Sequence, residues 1–295
     1  MSRRADLSIV TVNWKVADLV GELLGSIDAN KEDLSLEIFV VDNDSNDGIE
    51  EVIAKFRNRS GIPISLIRNS TNMGFAAANN IAIRRASGRY VALVNPDARA
   101  THGSLKTMVS WMDAHPDAGV VGPKLLNVDG SLQESIRRFP TLWDQTLILL
   151  KLQHVWPEAP AFKRYLAKDA DYTKEQDVDQ VMGAAFFVRQ DLFKKIGLLD
   201  EAFFIWFEEV DFCKRAKDAG QRVVYTPAAS FIHRGGASFA KAMTFKKQKY
   251  FTNSMRIYFA KHRGSWTTIV LALPMLFGIA TAALFSLWNS VFHKR

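Results

Sequence analysis

The 295-residue chain holds a single cysteine, Cys213. That excludes an internal disulfide framework and a cysteine-built zinc site, and it fits a reducing compartment. No GxGxxG follows a strand-like run, and GxxxxGK[ST] occurs nowhere. These absences argue against a dinucleotide-dependent oxidoreductase and a P-loop enzyme. The N-terminal MSRRADLSIV lacks an apolar h-region and a cleavage site, so no signal peptide is expected. Acidic residues are missing from the C-terminal stretch: Lys241 to Arg295 carries nine Lys or Arg and no Asp or Glu. The formal net charge of +7, from 38 basic and 31 acidic residues, therefore belongs to the tail, because positions 1–240 hold 29 basic and 31 acidic residues. A uniformly basic nucleic-acid-binding face is disfavoured, and an anionic membrane is the favoured partner of the tail.

What is present begins with 48% hydrophobic and 23% charged residues, the balance of a globular chain with ample core. Near the end runs WTTIVLALPMLFGIATAALFSLW, Trp266 to Trp288, without a charge. Its length matches a hydrocarbon core of about 30 Å. Trp266 and Trp288 occupy the places of interfacial aromatics. Lys261, His262 and Arg263 flank one end and His293, Lys294 and Arg295 the other. Pro274 and Gly278 suit a membrane helix better than a soluble one. A buried core helix and an in-plane or re-entrant helix are the competing readings.

Over the first 125 residues, short β-rich runs alternate with amphipathic stretches. Strands are expected at Leu7–Val12, Glu37–Val41, Pro63–Ile67, Tyr90–Val94 and Val120–Gly122. Helices are expected at Asp18–Ala29, Gly48–Arg57, Phe75–Ala86 and Gly103–Ala114. This order predicts an α/β fold with a mostly parallel central sheet. In such sheets ligands bind beyond the carboxyl ends of the strands. The 127–177 stretch lacks this regularity and reads as an acceptor-side insertion or a mobile loop. Asp179–Val188 and Gln221–Tyr225 read as strands, Phe207–Gly220 as a helix, and Lys246–Lys261 as a basic, aromatic-rich helix.

The polar residues cluster at the strand ends. Thr11 and Asn13 close the first strand, and DNDSNDG (Asp42–Gly48) follows the second. Asp42 is placed to accept hydrogen bonds from a nucleotide, whereas Asp44, Ser45 and Asp47 read as turn and cap residues. NSTNMGFAAANN (Asn69–Asn80) follows the third strand. Its Gly74 permits close backbone approach, and Ala76–Ala78 suits tight helix packing. After the fourth strand come Asn95, Pro96 and Asp97, either a turn or a site for Mg²⁺ or Mn²⁺. His233 sits in FIHRGGAS, and its reading as a ligand requires the fold to bring it near a carboxylate. The densest acidic cluster is FIWFEEVDFCKR, with Glu208, Glu209 and Asp211. Helix-dipole stabilisation explains acids at a helix start. The adjoining Phe203, Phe204, Trp206 and Phe207 would also raise a carboxyl's pKa, as a general base needs.

In this order, SIVTVNW, VVDNDSNDG, NMGFAAANN, YVALVNPDA, SIRRFPT, GAAFFVR, FFIWFEEVDFCKR and FIHRGGAS resemble family 2 glycosyltransferases of the GT-A fold. Among these, the bacterial rhamnosyltransferase-like enzymes of cell-surface polysaccharide assembly match best. The resemblance covers about residues 7–238 and implies a Rossmann-like nucleotide-diphospho-sugar transferase domain. It implies that Thr11, Asn13 and Asp42 bind base and ribose. Asn72, Gly74, Asn79 and Asn95 would line the donor pocket, with Asp97 and His233 as metal ligands. Glu208–Glu209 stands where the family usually has Glu-Asp or Asp-Asp. This makes Glu209 the base of an inverting transfer and Asp211 the fallback. Arg137 and Arg138 read equally as contacts to an acceptor diphosphate or as a solvated basic pair.

The expected organisation is a catalytic domain at 1–238, a basic amphipathic helical region at 239–264 and a membrane-embedded helix at 265–290. The resemblance implies dTDP-rhamnose as donor, with UDP-sugars as alternatives, and a polyprenyl-diphosphate-linked saccharide as acceptor. A non-catalytic sugar-nucleotide-binding membrane protein is the competing class, and homo-oligomerisation stays open. Seven of the nine tail cations precede Trp266. The positive-inside rule then places the body at the cytoplasmic face of the bacterial inner membrane, in contact with membrane lipids and not with nucleic acid.

Overall fold

Apolar runs too short for helices, each closed by polar residues, build the strands that carry the site. The computed structural model describes residues 4–235 and 244–292. In chain order the elements are β1 (Leu7–Asn13), α1 (Ala17–Ala29), β2 (Leu36–Asn43), α2 (Ile49–Arg59), β3 (Ile64–Asn69), α3 (Phe75–Ile83), β4 (Tyr90–Val94), β5 (Ala98–Ala100), α4 (Ser104–Ala114), β6 (Ala118–Leu126), β7 (Leu132–Gln133), β8 (Ile136–Arg137), α5 (Leu142–Leu149), α6 (Pro160–Tyr165), β9 (Gln176–Asp177), β10 (Gln180–Val181), β11 (Ala185–Arg189), α7 (Gln190–Ile196), α8 (Glu208–Asp218), β12 (Arg222–His233), α9 (Thr244–Arg263) and α10 (Trp266–Phe292). Gly236–Ser238 of the FIHRGGAS motif, the expected boundary at 238/239, and the flanking His293, Lys294 and Arg295 lie outside the described residues.

The main sheet has the order β3-β2-β1-β4-β11-β6-β12-β5, with β7 added on β6 and β9 on β12. β3, β2, β1 and β4 are parallel, as is β12 to β6, whereas β11 runs antiparallel between β4 and β6. Strand order reverses between β1 and β4, which opens a crevice at their carboxyl ends. Strand residues alternate between two apolar layers. Leu7, Ile9, Ile38, Val40, Ala92 and Val94 enter one core. Val10, Phe39, Val41, Val91 and Leu93 enter the other. Ala76 and Ala78 are buried in the second layer, so the small residues of α3 are packing residues.

Several boundaries differ from expectation for identifiable reasons. Asp179–Val188 is broken by a turn at residues 182–184 into β10 and β11. The Gln221–Tyr225 strand continues to His233 through an irregularity between Thr226 and Ser230, which spans Pro227. Proline cannot donate to the ladder, and the bulge absorbs it. The 127–177 stretch, expected as an acceptor-side insertion or a mobile loop, holds β7, β8, α5, α6 and β9. A capping box at Thr141 and Asp144 starts α5.

A third apolar cluster joins the body to the C-terminal helices. Phe203, Phe207 and Val210 pack with Met255, Tyr258 and Phe259 of α9 and with Leu271 and Met275 of α10. At its edge, Asp211 Oδ2 accepts from Arg215 Nε at 2.8 Å, and Oδ1 accepts from Lys261 Nζ and His262 Nε2, each at 2.8 Å. Burial alone would raise the Asp211 pKa, but His262, Arg215 and Lys261 hold it at about 2. The stability this carboxylate contributes is thus present above the ordinary Asp range near 4 and is lost as pH falls towards about 2. Asp211→Asn should lower stability at pH 7 by about 2 kcal/mol, the linkage equivalent of the lowered carboxyl pKa, because it removes the buried anion that Arg215, Lys261 and His262 share. Chemical denaturation at pH 7 checks this, and an unchanged midpoint would refute it.

Candidate active site

The crevice at the β1/β4 reversal opens into a cavity of about 540 Å³. Its lining includes Val12 and Trp14 after β1, Asn43 at the end of β2, and Asn72 and Gly74 after β3. It also includes Asn95, Pro96 and Asp97 after β4, together with His233, Glu208 and Glu209. Phe75, Arg137, Tyr165, Gln180, residues 182–184, Phe204–Phe207, Val210 and Phe251 complete it. Eight of the sequence-predicted site residues therefore converge: Asn72, Gly74, Asn95, Asp97, Arg137, Glu208, Glu209 and His233.

The Asp97–His233 pairing follows from strand register. Ala98 of β5 pairs with His233 at the end of β12, and Arg234 N donates to Asp97 O at 3.0 Å. His233 Nε2 consequently lies 3.3 Å from Asp97 Oδ1. This nitrogen is buried and makes no hydrogen bond of good geometry. The other ring nitrogen, Nδ1, is 2.7 Å from Gln133 Oε1, which fixes the ring orientation. A buried, unsatisfied nitrogen facing a carboxylate fits a divalent cation. Two such ligands suffice only where a substrate supplies further oxygens, and no group of three His, Cys, Asp or Glu forms a metal site among the described residues.

The acidic pair stands at the start of α8. Trp206 and Phe207 precede it in left-handed conformation, with φ of 63° and 70°. For bulky residues this costs on the order of 1–3 kcal/mol each, a strain that local packing must hold. Phe204 O accepts from Phe75 N at 2.7 Å, and Ile205 O accepts from Ser254 Oγ at 2.8 Å. Gly74, with φ of 85°, is required by this contact: a Cβ there would lie 2.4 Å from Phe204 O. Glu208 Oε2 and Glu209 Oε2 are buried without hydrogen-bond partners. Burial pushes the Glu208 carboxyl well above the usual range, and the charge of Glu209 adds to this. Burial also raises Glu209.

Other predicted residues lie off the cavity lining. Thr11 and Asn13 share one face of β1, and only Val12, on the opposite face, reaches the lining. Asn13 Nδ2 donates to Asp42 Oδ1 at 2.8 Å and to Asp47 at 3.1 Å and 3.2 Å, tying together the loops after β1 and β2. Asp47 Oδ2 also accepts from Ala17 N at 2.9 Å, at the start of α1. Asn79 Nδ2 donates to Phe75 O within α3. Asp211 is engaged by Arg215, Lys261 and His262, so its carboxylate is structural in this arrangement. The two arginines separate: Arg137 lines the cavity, whereas Arg138 forms a surface ion pair with Asp169.

Sequence reading passed over Asn43, Tyr165, Gln180 and Phe251. Asn43 had a signal in strand parity, since it follows Asp42 and therefore takes the opposite face. It donates to Asn72 Oδ1 and Gly74 O, each at 3.2 Å. Tyr165 had none; burial raises its phenol pKa to about 12.

The raised acids carry a stability consequence. A folded carboxyl with a raised pKa contributes stability that is complete below the unfolded value and lost as pH rises through the folded value. Glu208→Gln should therefore raise Tm at pH 8 by about 2–4 °C, the equivalent of about 1 kcal/mol, and by less at pH 4. Thermal melts at the two pH values check this, and an equal shift at both would contradict the burial argument.

The family described as Glycosyl transferase family 2 matches residues 8–197. N-acetylglucosaminyl-diphospho-decaprenol L-rhamnosyltransferase of Mycobacterium tuberculosis is 24% identical over 272 residues, covering 88% of this chain and 86% of that protein. Rhamnosyltransferase WbbL of Escherichia coli K12 is 26% identical over 234 residues, covering 76% and 82%. Among solved structures, mannosyltransferase PcManGT of Pyrobaculum calidifontis, in complex with GDP-Man and Mn²⁺, aligns with a TM-score of 0.57. That alignment has 16% identity and covers 99% of this chain and 76% of that one. GalNAc-T7 with UDP, GalNAc and Mn²⁺ aligns at 0.61 with 14% identity, covering 88% and 51%. These likenesses bear on the fold, which is of the GT-A type with one apolar C-terminal helix. With most of the catalytic body matched by the family and the strand-end residues gathered in one crevice, the chain belongs to glycosyl transferase family 2.

Proposed function

We propose that the protein is an inverting, metal-dependent transferase that moves L-rhamnose from dTDP-rhamnose to a polyprenyl-diphosphate-linked saccharide during cell-surface polysaccharide synthesis. The observation that carries this reading is the convergence in one cavity of the Asp97–His233 pair and the Glu208–Glu209 carboxyls, each with a buried oxygen that has no hydrogen-bond partner. The rhamnosyltransferase relatives support the donor, and the lipid-linked substrate in the name of the mycobacterial relative supports the acceptor.

Asp97 and His233 would hold Mg²⁺ or Mn²⁺ against the donor diphosphate. When bound, the cation neutralises charge on the leaving nucleoside diphosphate. Mn²⁺ alongside GDP-Man in one structural neighbour, and alongside UDP and GalNAc in another, supports this assignment. Asn72, Gly74 and Asn95, on the lining, would shape the donor pocket, while Thr11, Asn13, Asp42 and Asn79, set back from it, would hold the strand-end loops that receive base and ribose. Glu209 takes the proton from an acceptor hydroxyl, whose oxygen then attacks the anomeric carbon on the face opposite the diphosphate. A carboxylate raised by burial is a stronger base for that step. Arg137, which lines the cavity, would contact the acceptor diphosphate.

The apolar Trp266–Trp288 segment, of mean hydropathy 2.2, would attach the enzyme to the cytoplasmic face of the membrane, where a lipid-linked acceptor resides. Glu209→Gln should cut kcat by about 10²–10⁴-fold with little change in donor KM. Full activity in that variant would remove Glu209 from the base role. Asp97→Ala should abolish metal-dependent transfer while leaving the thermal melt cooperative. In the wild type, kcat/KM should fall on the acid side at a pH above the ordinary Glu value of about 4.3. Transfer assays comparing dTDP-rhamnose with UDP-sugars test the donor, and a preference for UDP-sugars would overturn the rhamnosyl assignment.

A further inference from the structure

We infer that α10 lies in the plane of one leaflet instead of crossing the bilayer, so that the occupant of its exposed apolar face is the acyl layer of a phospholipid membrane. This inference rests on the membrane attachment proposed above. Its basis is the way α10 packs. Thr267, Leu271, Met275, Gly278 and Ala282 are buried, at spacings of three and four residues. Such a stripe faces one side along most of the helix. An ordinary span would touch its soluble domain only near one end.

The partner along this stripe is α9. Phe245 N donates to Ser286 Oγ at 3.2 Å, near the far end of α10. Gly278, close to the middle of the apolar segment, leaves no slack: a Cβ there would sit 3.2 Å from both Gln248 Nε2 and Leu149 O. Gln248 Oε1 in turn accepts from Lys151 Nζ at 2.6 Å. Lys151, Lys247 and Lys249 are therefore level with the centre of the apolar run. If the packed hairpin spanned the bilayer, these cations would lie in hydrocarbon, where charges are strongly disfavoured. If α10 spanned alone, its whole buried stripe would have to be stripped away. The hairpin is also tied to the body by Ser254 to Ile205 O and by Lys261 and His262 to Asp211.

In the plane of a leaflet none of these contacts breaks. Ile269, Leu273, Leu276 and Leu284, each more than 60% exposed, then enter the acyl boundary, and the exposed Trp266 and Trp288 sit at its edge. The basic residues of α9 remain at the level of anionic headgroups. Phe251 of α9 lines the cavity, so the same hairpin sets the cavity's height above the leaflet.

The test uses the full chain expressed in bacteria, with one cysteine introduced by Ser265→Cys or appended after Arg295. Cys213 is buried and its thiol is pushed up by that burial, so it gives little background. A membrane-impermeant maleimide is applied to spheroplasts and to inverted membrane vesicles. The expected result is equal labelling of both cysteines in inverted vesicles and of neither in spheroplasts. Labelling of the appended cysteine in spheroplasts alone would show a span and overturn the inference while the membrane reading stands. Recovery of the chain in the soluble fraction would overturn the membrane reading itself. A soluble dimer would give the apolar face to a second copy.

Discussion

The backbone from Phe203 to Phe207 is the constraint on which the rest depends. Phe204 receives the Phe75 N–H and presses against Gly74. Ile205 is held by Ser254 of α9. Trp206 and Phe207 then turn through the left-handed region and deliver Glu208 and Glu209 into the cavity. The loop after β3, the acidic pair and the C-terminal hairpin are thus fastened to one five-residue segment. Strain in that segment persists because apolar packing around Phe203 and Phe207 fixes both ends.

A second coupling comes from the sheet. The crevice exists because strand order reverses between β1 and β4, and β5 then returns to pair with β12. That pairing brings together residues 136 positions apart in sequence, Asp97 and His233. Neither motif is informative alone. NPD is a common turn, and a lone histidine is usually structural.

Much of this was legible in the sequence. Strand-end polar residues point to a crevice whatever the exact boundaries, and seven of the eight converging residues were named from such ends or from the acidic cluster; Arg137 came instead from the SIRRFPT stretch. Parity was harder to read: Thr11, Asn13 and Asp42 are polar and near the crevice, yet they spend hydrogen bonds on one another and on Asp47 or stay buried. Asp211 looked equivalent to its neighbours in sequence, but its partners Lys261 and His262 come from a helix some 50 residues later. Tyr165 and Phe251 reach the cavity only through tertiary packing, so no local pattern marks them. The apolar tail had the length of a span, and only its lengthwise contact with α9 distinguishes lying in a leaflet from crossing it.

The account stands or falls on a nucleotide-sugar site organised by Asp97 and His233. The most direct measurement is calorimetric titration of dTDP-rhamnose into the full chain with and without Mn²⁺, repeated with His233→Ala. The account predicts Mn²⁺-dependent binding in the wild type that weakens at least tenfold in the variant, a change of about 1.4 kcal/mol or more. Equal binding by the two proteins, or binding indifferent to Mn²⁺, would contradict it.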